Sequence, residues 1–148
     1  MEFGSGESAK TRLLLDAAPQ LSAYVRIDIS ADALDGAAPR LVQDYPQLSI
    51  APVVAGFTEY FRLPKAHGRR RVGFFPGSTI GNFERHGAVR FLELLRQMLG
   101  DQAILLVGVD LVKDAAVLTA AYDDPHGVTA RFNKNLLVRI NRELGGRF

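Results

Sequence analysis

Apolar positions along the chain follow two periods in turn, with short blocks at strand spacing set between longer stretches at helical spacing. This alternation predicts an α/β fold, a mostly parallel sheet with crossover helices on both faces. The first strand is Met1 to Phe3 at most, followed by a Gly4-Ser5-Gly6 turn. A helix over Ser8 to Ala17 has Leu13, Leu14 and Leu15 among its inward residues and is stopped by Pro19. Tyr24 to Asp28 is a strand ending in an acid. Ser30 caps the next helix, whose apolar members are Leu34, Leu41 and Val42 and which Pro39 bends or splits. Leu48 to Val54 is a third strand, and Pro52 places it at an edge or ends it early.

Arg71 to Phe75 is a fourth strand, ending abruptly at Pro76-Gly77. Asn82 then caps a helix that carries Phe91, Leu92, Leu95, Met98 and Leu99 on one face and closes at Gly100. Ala103 to Val109 is an unbroken apolar strand of the kind buried on both faces of a parallel sheet, and Asp110 ends it. Helical spacing resumes from Leu111 to Tyr122, and Asp123 to Gly127 form a turn. Val128 to Leu144 is an amphipathic helix with Phe132, Leu136, Leu137 and Ile140 on its apolar side.

In an open parallel sheet, ligands bind beyond the carboxyl ends of the strands, where the strand order reverses. Four polar or glycine-bearing stretches fall at such ends: the Gly4 turn, Asp28, Pro76 to Asn82, and Asp110. Glycines in a strand-to-helix turn let a backbone approach a cofactor closely. Asp28 follows at close to the ~20-residue spacing of an acid that accepts from ribose hydroxyls. Together they point to an adenosine-bearing cofactor. The turn also satisfies the dinucleotide pattern with Ala9 in third place, so NAD stays open on these residues alone. The carboxamide of Asn82 either caps a helix or orients a polar substrate group.

Composition narrows the field. With 148 residues, 47% hydrophobic and 23% charged, the chain is one ordinary globular domain's worth. The absence of cysteine removes disulfides and thiolate metal sites and is compatible with the cytoplasm. No apolar run approaches the ~20 residues of a membrane-spanning helix. The basic run from Lys65 to Arg71 is a solvated loop, too narrow for a nucleic-acid footprint. Asp123 and Asp124 belong to a turn rather than a metal site, and His67, His86 and His126 share no ligand spacing.

Three stretches carry a more specific signal: EFGSGESAKTRLLLDA from Glu2, FPGSTIGNF from Phe75, and Leu105 to Leu144 with LLVGVDLVKD, AAYDD and GVTARFNKNLLVRINRELG. They closely resemble the histidine-specific N-alpha-methyltransferases of ergothioneine biosynthesis. The resemblance implies a Rossmann-like class I methyltransferase core and favours S-adenosylmethionine over NAD. It implies that Gly4, Ser5, Gly6 and Lys10 form the cofactor loop, that Asp28 holds the adenosine ribose, and that Phe57 packs on the adenine. It places Gly77 and Asn82 beside the amino and carboxylate end of L-histidine, with Tyr122 as a further substrate contact.

Two positions depart from the family pattern. Gly56 stands where an acid usually precedes Phe57, and Arg26 stands where Pro is common. Against the family's length, the expected organisation is a core truncated at both ends. Residues 1–127 form the cofactor-binding part, and residues 128–148 begin a substrate-side helical segment. The implied reaction is transfer of methyl groups to the α-amine of histidine. A non-catalytic cofactor-binding fragment and a methyltransferase for another amino acid are the alternatives. The nearly absent first strand leads to an expectation of self-association through exposed sheet edges.

Overall fold

The computed structural model describes residues 1–6, 9–65 and 69–148. The expected helix start at Ser8 and the residue His67 lie outside them. The strands are β1 (Glu2–Phe3), β2 (Ala23–Asp28), β3 (Ser49–Val54), β4 (Val72–Phe75) and β5 (Ile104–Val107). The helices are α1 (Ala9–Ala17), α2 (Ala31–Asp44), α3 (Arg85–Leu99), α4 (Ala115–Tyr122) and α5 (Val128–Leu144). All strand pairs are parallel, in the order β3-β2-β1-β4-β5. Successive strands move outward from β1 to β3, and the chain then returns to the other side of β1 to form β4 and β5. The order therefore reverses between β1 and β4. This is the α/β arrangement expected of a Rossmann-like core.

Because side chains alternate along a strand, β1 and β2 sort their residues onto two faces. Phe3, Val25 and Ile27 face the larger cluster, with Phe75 from β4 and Phe91, Leu95, Met98 and Leu99 from α3. Tyr24 faces the other way, onto Leu15 of α1 and Leu41 of α2. Leu13 and Val42 point to solvent instead, so only part of each predicted inward set is used. The α2 helix runs unbroken through Pro39. Pro52 lies in an edge strand, as its missing N–H demands.

Three further expectations change. Asn82 caps no α-helix: it ends a turn of 3-10 helix, Thr79–Asn82, and α3 begins at Arg85 after Glu84. β5 is not buried on both faces, because it is the other edge of the sheet, and Ile104 and Leu106 are about half exposed. The α4 helix starts later than Leu111, at Ala115, because the Asp114 side chain accepts from the Ala116 N–H (2.7 Å) and sets the cap there. The basic run is not wholly solvated either. Arg71 is partly buried and donates to Met98 O (3.1 Å), Leu99 O (3.3 Å) and Pro64 O (3.2 Å), satisfying carbonyls at the end of α3.

The chain forms two compact units, Met1–Asp110 and Leu111–Phe148. In the second unit the Asp124 carboxylate accepts from Val128 N (2.9 Å) and Thr129 N (2.8 Å) at the start of α5. Those backbone donors hold its pKa below the usual range. Phe132, Leu136 and Leu137 of α5 are exposed. No described helix is long and apolar enough to cross a membrane.

A polar network lies on the α1/α2 face. Glu2 of β1 is buried and accepts from the hydroxyls of Thr11 in α1 and Tyr24 in β2. Its register partner on β2 is Arg26, which is fully buried. Burial is the main cause that raises the Glu2 pKa above its usual 4.5, with the two hydroxyls and Arg26 opposing it. The folded state therefore holds this proton more tightly than the unfolded chain. That contribution is present in full below about pH 4.5 and is lost as pH rises through the folded value. Glu2→Gln is expected to flatten the decline of stability above pH 4.5, read from urea midpoints across a pH series. Leu95→Ala empties a fully buried site between α3 and the sheet. It is expected to cost about 2–5 kcal/mol by urea denaturation at neutral pH.

Candidate functional site

The strand order reverses between β1 and β4, the position at which open parallel sheets form a ligand crevice, and the residues singled out by sequence in the first unit lie beyond the carboxyl ends of the strands there. The chain leaves β1 through Gly4 (φ +75°), Ser5 and Gly6 (φ +45°). Both Gly4 N (2.8 Å) and Ser5 N (3.1 Å) donate to the Ile27 carbonyl, which pins the loop to the end of β2. Gly6 N donates to Asp28 Oδ2 (2.9 Å), and the other oxygen of that carboxylate accepts from Ser30 N (3.0 Å). Asp28 is thereby oriented by two backbone donors while remaining partly exposed. Its remaining lone pairs are the kind of acceptor that a vicinal diol can use.

The space over Gly6 is open, since an added Cβ would meet nothing within 4 Å. Ser5 is buried, and its hydroxyl has no hydrogen-bond partner among the described residues. Phe57 lies beside the loop, with its ring edge 3.4 Å from where a Cβ of Gly4 would sit. The ring is half-buried and joins the aromatic cluster, at 5.4 Å from Phe75 and 5.8 Å from Phe91 between centroids. A flat ligand above Gly4 would meet the free edge of that ring. The open cradle, the oriented acid and the adjacent ring together fit an adenosine-bearing group.

Across the crevice, β4 ends at Pro76, Gly77 (φ +80°) and Ser78 (φ +58°). The Lys10 side chain reaches this loop from α1, its Nζ 3.8 Å from the Cβ position of Gly77. Gly108, just after β5, presses on the same loop. A Cβ there would come within 3.1 Å of Gly77 N and 3.3 Å of Pro76 Cα. Only a glycine allows this approach without moving backbone. Ser78 Oγ in turn accepts from Asp110 N (2.9 Å). Asn82, at the end of the 3-10 turn, is exposed, and its carboxamide has no hydrogen-bond partner among the described residues.

Gly4, Ser5, Gly6, Lys10, Asp28, Phe57 and Gly77 thus converge, with Asn82 one short turn further along. Tyr122 ends α4 in the second unit and is largely exposed. Arg26 is the participant that sequence reasoning treated only as a departure from pattern. It lies fully buried beneath the loop and donates to Gly6 O (2.9 Å). A charged residue inside an otherwise apolar strand that ends in a candidate ligand-binding acid was the available signal. Among the described residues no cluster of acids or histidines could hold a metal ion.

The chain is similar to known proteins along its whole length. Residues 1–148 match the family of SAM-dependent histidine-specific methyltransferases. Over its whole length the chain is 44% identical to the histidine N-alpha-methyltransferase of Mycobacterium tuberculosis, covering 47% of that protein. It is 29% identical, over 98% of its length, to ergothioneine biosynthesis protein 1 of Schizosaccharomyces pombe, covering 20% of that protein. The chain thus spans less than half the length of these relatives. A solved structure described as a pericyclic reaction enzyme superposes on 82% of the chain, and the chain covers 30% of that protein. The TM-score is 0.52 at 18% identity, a likeness of fold alone. With a family model that matches residues 1–148, the chain belongs to the SAM-dependent histidine-specific methyltransferase family.

Proposed function

We propose that this chain provides the S-adenosylmethionine-binding core, and part of the substrate pocket, of an enzyme that methylates the α-amino group of L-histidine on the route to ergothioneine, in the cytoplasm. The observation that carries the reading is the convergence at the strand-order reversal. The Gly4–Gly6 loop and its fastened Asp28 lie on one side, and the Gly77 loop with Lys10 above it lies on the other. The names of the relatives support histidine as the substrate.

The cofactor, when bound, supplies a methyl group on a sulfonium sulfur. In this reading Asp28 accepts from both ribose hydroxyls, and two backbone N–H groups hold its carboxylate in place for that task. The Phe57 edge limits where an adenine can lie. Lys10 offers an ammonium donor to a carboxylate entering the crevice. Gly77 and Asn82 serve the amino-acid substrate, with the Asn82 carboxamide able both to donate and to accept. The attacking α-amine must be neutral, so its proton has to leave before reaction. The rest of the catalytic task is alignment, to which fixed backbone loops are suited.

Calorimetric titration with S-adenosylhomocysteine tests the cofactor half of the reading. The chain is expected to bind it, and Asp28→Ala is expected to weaken binding by about tenfold or more, through loss of charge-assisted hydrogen bonds. Unchanged affinity in a folded Asp28→Ala protein would remove Asp28 from the site. Gly108→Ala tests the substrate half, because its Cβ displaces the Gly77 backbone. It is expected to weaken histidine binding to the S-adenosylhomocysteine-loaded protein more than S-adenosylhomocysteine binding itself, because the Gly77 loop is displaced directly and the cofactor loop only through Lys10.

A further inference from the structure

Gly6 occupies the left-handed region at φ +45°, and no atom lies within 4 Å of where its Cβ would be. No steric contact therefore defines this residue, and glycine itself imposes little. Hydrogen bonds hold it at both of its backbone polar groups. Its N–H donates to Asp28 Oδ2 at 2.9 Å, and its C=O accepts from Arg26 Nη2 at 2.9 Å. Arg26 and Asp28 are two residues apart on β2 and so project to the same face. The two side chains close a circuit through one glycine.

We propose that Arg26 is a positioning residue for the ligand-binding end of β2, fixing the Gly6 backbone and, through it, the Asp28 carboxylate. The inference rests on the reading of Asp28 given above and adds the residue that sets its aim. The guanidinium is itself anchored: Nη1 donates to Leu34 O at 2.6 Å, and Nη2 also reaches Ala33 O at 3.3 Å, both in the first turns of α2. Glu2, its register partner, places a carboxyl alongside. A buried ionic group is a poor means of gaining stability, since an apolar side chain of similar volume usually serves as well or better. What an apolar side chain cannot do is hold one peptide carbonyl at a chosen point while tied to a helix. Arg26 does this with fixed planar geometry, which lysine lacks.

The test is a double-mutant cycle on S-adenosylhomocysteine affinity, measured by calorimetry on the whole chain, with thermal melts establishing folding. Arg26→Met is expected to weaken binding about tenfold, in line with a lost charge-assisted hydrogen bond. Arg26→Lys should fall between Arg26→Met and the unmodified protein. In an Asp28→Asn background, Arg26→Met is expected to change affinity by less than about twofold, because the group it aims has already been disabled. A merely structural role would lower the melting temperature and leave the cycle additive. Additive losses, or native affinity in a folded Arg26→Met protein, overturn the proposal; if Arg26→Met does not fold, Arg26→Lys takes its place in the cycle with the same criteria. Native affinity in Asp28→Asn overturns the ligand assignment itself, whereas weakened Asp28→Asn beside unaffected Arg26 variants overturns the Arg26 inference alone.

Discussion

A carboxyl and a guanidinium lie side by side near the middle of this sheet, on register partners of β1 and β2, both withdrawn from solvent. Taking such groups out of water costs several kcal/mol each, and the cost is tolerable only when their remaining hydrogen-bonding capacity is met. Each of the groups that meet it belongs to a different part of the fold. Thr11 brings in α1, Tyr24 brings in β2, the carbonyls of Ala33 and Leu34 bring in α2, and the Gly6 carbonyl brings in the glycine loop. These hydrogen bonds fix where the glycine loop leaves β1 relative to β2 and α2.

The two faces of the sheet divide their labour accordingly. The α3 face is an apolar cluster in which Phe75 and Phe91 meet at 4.7 Å, and Phe57, packed against it, reaches the glycine loop. The α1/α2 face is more polar and ends at the loop and acid that face the crevice. On the far side of the reversal, β4 and β5 are fastened to each other beyond their ladder. Gly108 packs against the Gly77 backbone, and the Ser78 hydroxyl accepts from Asp110 N. Both walls of the crevice are thus set by backbone positions, and side chains such as Lys10 reach across it.

The strand-helix alternation was legible because buried strands and amphipathic helices impose different periods. The bounds of α5, Val128 and Leu144, could be read directly, since a turn with Asp124 precedes it and Gly145 follows. The errors share a cause, which is that local signals compete and tertiary position decides between them. Asn82 and Glu84 both precede α3, and the chain inserts a 3-10 turn before the helix starts. β5 carries the apolar run of an interior strand yet lies at an edge, because strand order is not written in hydropathy. Leu13 and Val42 sit at helical spacing but on the solvent side. The glycine turns at Gly4 and Gly77 and the acid Asp28 were legible because glycine and acidic positions at strand ends are few, whereas Lys10 and Phe57 were named only through the family resemblance. Arg26 drew notice only as a departure from pattern, because an arginine in an apolar strand marks an unusual position without saying whether it faces water or a set of carbonyls.

The backbone donors of the glycine loop are also engaged in a way that its sequence pattern does not announce. The N–H groups of Gly4, Ser5 and Gly6 all donate within the protein, two to Ile27 O and one to Asp28. A pyrophosphate entering over these residues would find no spare donor among them and would face a carboxylate. The loop that satisfies a dinucleotide fingerprint in sequence therefore holds these three amides in reserve for the protein itself, because the fold has already used them to fasten β1 to the end of β2.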